Sequence, residues 1–217
     1  MPDADDAETP ASRSALFMRR VKAMTSFTMT DLDAILPRME RRAENSLFPT
    51  ERARILNLAG DLCFDAGQRE RALLYYDQAI DIYLALGMYA SVAAVCQKLV
   101  RLSPSIVRAR CTLAWMAIAR GQSGEARQRI SDYATAAVPQ DDHRLARGHL
   151  RMMAEVADSP DVLEAVAEAL LMLGDQRGAE RAYAAASGED LAARKLPDQP
   201  DRRWEVVLDR MMSRRRN

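Results

Sequence analysis

Apolar residues recur three and four positions apart along most of this chain, and Gly or Pro interrupts them at short distances. That is the helical period, not the alternation of a half-buried strand. No Asn-Gly or Asp-Gly hairpin turn and few β-branched runs accompany it, so the sequence reads as all-α. Helices follow at about 51–66, 69–86, 88–102, 104–120, 123–136, 141–157, 160–173 and 176–187. Ser103-Pro104 and Ser159-Pro160 each read as an N-cap serine with proline at the first helical position. Thr50 reads as the cap of the helix at 51–66. Ahead of it, residues 12–50 form N-terminal helices, the second capped by Thr30 and kinked at Pro37. Residues 1–11 are an acidic disordered tail, 188–200 a linker, and 201–217 a basic amphipathic helix.

One stretch, AGQRERALLYYDQAI over residues 66–80, narrows the architecture. Ala72, Tyr76 and Ala79 put small, large and small side chains on one helix face. Small residues let helix axes approach, and the aromatic fills the groove beside them. Gly60 supplies the small residue of the preceding helix, and Gly67 marks the turn. The design returns as Ala167, Gly174, Ala179, Tyr183 and Ala186, and in part as Ala114, Gly121 and Ala126. Gly87 and Gly121 are 34 residues apart, 121 − 87.

In these residues the segment 51–187 resembles the tetratricopeptide repeat family. The resemblance implies a right-handed α-solenoid of antiparallel helix pairs, with non-repeat helices at both ends. The spacing also departs from it. Gly67 to Gly87 is 20 residues and Gly121 to Gly174 is 53, steps that fit one extra helix each. Residues 88–102 carry Val92 and Cys96 where the family has alanine and an aromatic. The register implied by the resemblance directs Arg54, Asn57, Asp61 and Asp65 into a groove, and later Arg108, Cys111, Thr112 and Trp115. Trp115 is either an interface anchor or a residue packed between repeats, the second being favoured. Carboxylate-gripping members of the family use Lys and Asn; here Asn57 stands without the Lys, and Asp61 disfavours that ligand.

Catalytic material is sparse. No Gly-rich phosphate loop, zinc spacing or nucleophile elbow occurs, so no enzyme, cofactor or metal is expected. His143 and His149, six apart, share no helical stripe and read as solvated surface residues. Cys63, Cys96 and Cys111 lie in apolar patterns and read as buried small hydrophobes in a reducing compartment. There are 31 basic and 31 acidic residues, which disfavours a dedicated nucleic-acid binder. Arg and Ala richness fits GC-rich bacterial coding. No run approaches the roughly 20 apolar residues of a membrane span. Cytoplasmic residence is the default.

The expected function is therefore that of a non-catalytic adaptor or scaffold for a protein partner, with a homo-oligomer left open. The alternative lies in RRWEVVLDRMMSRRRN, where Trp204, Val207, Leu208, Met211 and Met212 form a stripe and Arg214–Arg216 follow. Such a helix docks to nucleic acid or an anionic membrane, or caps the last repeat face with its arginines at the negative end of its dipole. The cap is favoured, since Glu205 and Asp209 dilute the charge.

Overall fold

The computed structural model describes residues 29–188, and all regular structure among them is α-helical. The helices are α1 (Met29–Glu44), α2 (Pro49–Asp65), α3 (Arg69–Ala85), α4 (Tyr89–Leu102) and α5 (Val107–Ala119). They continue with α6 (Ser123–Ala137), α7 (Arg144–Val156), α8 (Pro160–Met172) and α9 (Gln176–Ser187). The acidic tail, the first N-terminal helix, the linker beyond Gly188 and the basic C-terminal helix lie outside the described residues. Two compact units divide the chain, Met1–Ala79 and Ile80–Asn217, so the division falls inside α3 and inside the segment read as one repeat domain.

One turn recurs four times. Gly67, Gly87, Gly121 and Gly174 are the glycines at positive φ, between 67° and 75°. In each turn the following residue donates its N–H five positions back: Gln68 to Cys63, Met88 to Tyr83, Gln122 to Ala117 and Asp175 to Leu170. These are the bonds that close a helix through a left-handed residue, a conformation glycine adopts without a Cβ penalty. The next helix starts two residues after each glycine. The same local chemistry thus builds the α2–α3, α3–α4, α5–α6 and α8–α9 connections.

The other connections correct three expectations. Ser103 is the C-cap of α4, and α5 begins only at Val107 with Ile106 as its N-cap. Ser159-Pro160 does start α8 as read, although the serine makes no side-chain cap bond. Thr50 is not a cap, because α2 begins at Pro49 behind Phe48. Nor is Thr30, which lies inside α1. That helix runs on through Pro37, whose carbonyl accepts from Arg41 Nε at 3.1 Å.

In the first unit, Ala72, Tyr76 and Ala79 are all buried. A β-carbon on Gly60 would stand 2.6 Å from the Tyr76 ring, so α2 offers the aromatic a bare backbone surface. Tyr76 Oη also donates to Asp61 Oδ1 at 2.7 Å. Nearby, Tyr75 donates to Glu40, and Arg71 pairs with Asp33 at 3.2 Å. In the second unit, α6 packs on both α5 and α8, and α9 packs on α8. Arg151 and Arg147 reach from α7 to the α8–α9 turn. Arg151 Nε donates to Asp175 Oδ2 at 2.6 Å, and Arg147 Nε to the Leu173 carbonyl at 2.7 Å. Asp175 caps α9 through Gly178 N–H at 3.1 Å; a β-carbon on Gly178 would run into that carboxylate. The second aromatic of the sequence pattern behaves differently: Ala179 is buried, but Tyr183 is 41% exposed.

Candidate functional site

Helices α5, α6 and α7 enclose a cavity of about 720 Å³ in the second unit. That is within the size range of ligand pockets, roughly 300–1,000 Å³. Thirteen residues from Val107 to His149 line it. Helix α5 supplies Arg108, Cys111, Thr112 and Trp115 at helical spacing, which puts them on one side of the helix. The side chains named in the sequence for the second half of the groove therefore meet at one cavity.

Their chemistry differs from residue to residue. Trp115 is 1% exposed and forms part of the cavity wall. Thr112 turns its hydroxyl back to the Arg108 carbonyl at 3.1 Å, the usual escape for a hydroxyl inside a helix. Arg108 is exposed and donates to Asp81 at 2.6 Å. The first set lies in the other unit. There Arg54 and Asp65 are exposed and Asn57 half-buried, while Asp61 accepts the Tyr76 hydroxyl.

Sequence reasoning missed the polar cluster of the cavity. His149 is not a solvated surface residue; it is half-buried and lines the cavity. Its Nδ1 lies 3.0 Å from Tyr133 Oη and 3.3 Å from Cys111 Sγ. The Tyr133 and His149 rings are tilted by 40° at 6.4 Å. The other histidine, His143, stands ahead of α7 with Nε2 3.0 Å from the Val138 carbonyl. Cys111 and His149 are 38 positions apart, so no local spacing announces the contact. The available signal was the placement of Cys111 beside Trp115 on one face of α5.

Burial pushes the Cys111 thiol up to about 12, against hydrogen bonds from Tyr133 and Trp115 that act the other way. Burial, followed by Cys111, raises Tyr133 as well. Both groups stay protonated at neutral pH. A thiol held in this way is not the thiolate that nucleophilic catalysis needs. All three cysteines are buried, as expected from the sequence.

The mouth of the cavity is mixed. Leu145 and Arg108, both in its lining, are exposed, Leu145 over 64% of its surface. Asp141 and Asp142 stand beside them, the latter paired with Arg144 at 2.8 Å. Among the described residues, no three His, Cys, Asp or Glu side chains form a metal-binding group, and no helix is long and apolar enough to cross a membrane. No family model, curated protein or solved structure matches the chain.

Proposed function

We propose that this chain is a non-catalytic protein-interaction scaffold, built as a right-handed solenoid of helix pairs resembling tetratricopeptide repeats. The recurrent left-handed glycine turn supports the repeat reading, because one local rule generates four helix connections. The observation that carries the binding reading is the cavity between α5, α6 and α7, with apolar walls, polar and charged points and an exposed leucine in its lining. Such concave surfaces receive the anchor side chains that dominate binding energy. The partner is a protein presenting an apolar side chain to this cavity.

Affinity capture on the purified full chain tests it, with Leu145→Glu as the paired bait. A partner retained by the parent and lost from Leu145→Glu is expected. Identical capture by both, with both folded, overturns the assignment of the cavity. Small-angle scattering from a compact sphere overturns the solenoid.

A further inference from the structure

The inner wall of the cavity offers little to a polar molecule. Thr112 turns its hydroxyl to the Arg108 carbonyl. Cys111 is bonded to His149, Tyr133 and Trp115, and Tyr133 also to His149. Among these groups stand the apolar side chains of Val107, Ala137 and Ala146. The charged residues of the lining, Arg108, Asp141 and Asp142, are all exposed. Arg108 is held by Asp81 at 2.6 Å and Asp142 by Arg144 at 2.8 Å.

These features select an occupant by its chemistry. A charge carried inward would lose its water and meet no buried carboxylate or arginine in the lining. Water itself is weakly held, because a buried water keeps its place through polar partners, and the thiol and hydroxyls of this wall already bond to the protein. An apolar body that displaces such water gains affinity. Size narrows the choice further. At roughly 30 Å³ for each water-sized group, the cavity of about 720 Å³ takes on the order of 20 non-hydrogen atoms. Even an indole side chain fills less than half of that.

We propose that the cavity between α5, α6 and α7 is a binding site for a neutral, largely hydrocarbon small molecule, its body against Trp115 and Tyr133. The inference goes beyond the protein-partner reading and does not rest on it. It adds a consequence for that reading, since a bound molecule and a partner's side chain exclude one another from the same space.

Two dyes with the same rings test the site on the full chain carrying Trp204→Phe, which leaves Trp115 as its only tryptophan. N-phenyl-1-naphthylamine is neutral, and 8-anilino-1-naphthalenesulfonate adds one sulfonate to the same body. The neutral dye should quench Trp115 emission by energy transfer and saturate at one dye per chain. The sulfonate should bind at least tenfold more weakly, because its charge sits beside the linking nitrogen and enters with the rings. Two substitutions fill the space from different sides. Ala146→Phe works from α7 and the half-buried Val107→Phe from the start of α5. Each should weaken the neutral dye at least tenfold, with helicity retained in circular dichroism. If Ala146→Phe unfolds the chain, Val107→Phe decides. Absence of saturable binding by the neutral dye overturns the proposal. Equal binding of the two dyes overturns the neutral class, and binding that ignores a folded filling variant places the dye elsewhere and overturns the site. Partner capture needs a second protein and the dye titration needs none, so either can fail while the other holds.

Discussion

The contact of Tyr76 with Gly60 and the cavity beside Tyr133 are two outcomes of one packing problem. In both, a tyrosine lies between helices and its hydroxyl finds a partner on another helix. Tyr76 meets a bare glycine backbone and the Asp61 carboxylate, and the space between α2 and α3 closes around its ring. Tyr133 meets the half-buried His149, beside which about 720 Å³ stays open. The difference lies in what faces the ring. A glycine lets the aromatic fill the groove, whereas an imidazole holds it by the hydroxyl and leaves space next to it. The helices thus close on one another where a glycine faces the aromatic, and leave a cavity where an imidazole does.

Removing the ring tests the closed region most severely. Tyr76→Ala should cost about 3–5 kcal/mol, the range for truncating a buried aromatic. Urea unfolding of the full chain measures it. A loss under about 1 kcal/mol would show that the ring is not packed as described.

The facing glycine gives a smaller effect with a diagnostic sign. Gly60→Ala places a methyl 2.6 Å from the ring and should cost about 1–3 kcal/mol by overpacking. In the Tyr76→Ala background the clash is gone, and only the helix propensity remains. There the same change should stabilise, by up to about 1 kcal/mol. An unchanged sign in the double-mutant cycle breaks the comparison at its closed end.

Much of the closed region was legible in the sequence, because its parts are local. Ala72, Tyr76 and Ala79 declare one face by spacing alone, and Gly67 declares the turn. Helix ends were legible wherever a left-handed glycine sets them. Of the two Ser-Pro pairs only one read true: Pro104 and Pro160 have the same ring-fixed φ, but only Pro160 opens a helix, behind Ser159 as its N-cap. Ser103 instead closes α4, with its N–H donating to the Leu99 carbonyl, a tertiary choice that the dipeptide does not encode. The Cys111, Tyr133 and His149 cluster was illegible for the same reason: three helices converge, and each residue alone looks like core or surface.

The clamp from α7 to the α8–α9 turn sits between the extremes, a charged contact inside a packed unit. The hydrogen bond from Arg151 holds the Asp175 carboxyl below its ordinary value of 3.8, with the Gly178 N–H and the nearby Arg147 acting in the same direction. A folded-state value below the unfolded one means stability that is present above the unfolded value. It is lost as pH falls through the folded value. Stability should therefore decline in the acid range from just above 3.8 downward. That decline should be shallower in Asp175→Asn. At neutral pH, Asp175→Ala should cost about 1–2 kcal/mol through the lost cap and the arginine bond. Thermal melts over the acid range compare the three chains. Identical acid slopes would show that the pair is solvated.

The smallest expected effect belongs to the cavity wall and asks whether Thr112 serves the cavity or its own helix. Its side chain is buried, so a hydroxyl serving a buried partner would cost about 1–3 kcal/mol to remove. The acceptor, however, is the Arg108 carbonyl, four residues back on the same helix. Such a bond competes with the helix and adds little to it. Thr112→Val keeps the shape and removes the hydroxyl without orphaning a donor elsewhere. Its effect should stay within about 0.5 kcal/mol of zero. Partner capture should match the parent, while Leu145→Glu loses it. A cost above about 1.5 kcal/mol in urea unfolding would show the hydroxyl bonded to another group, and a loss of capture would show it directed into the cavity. Either result would move Thr112 from the helix to the site and make the open region more polar than the contacts of Tyr133 and His149 imply.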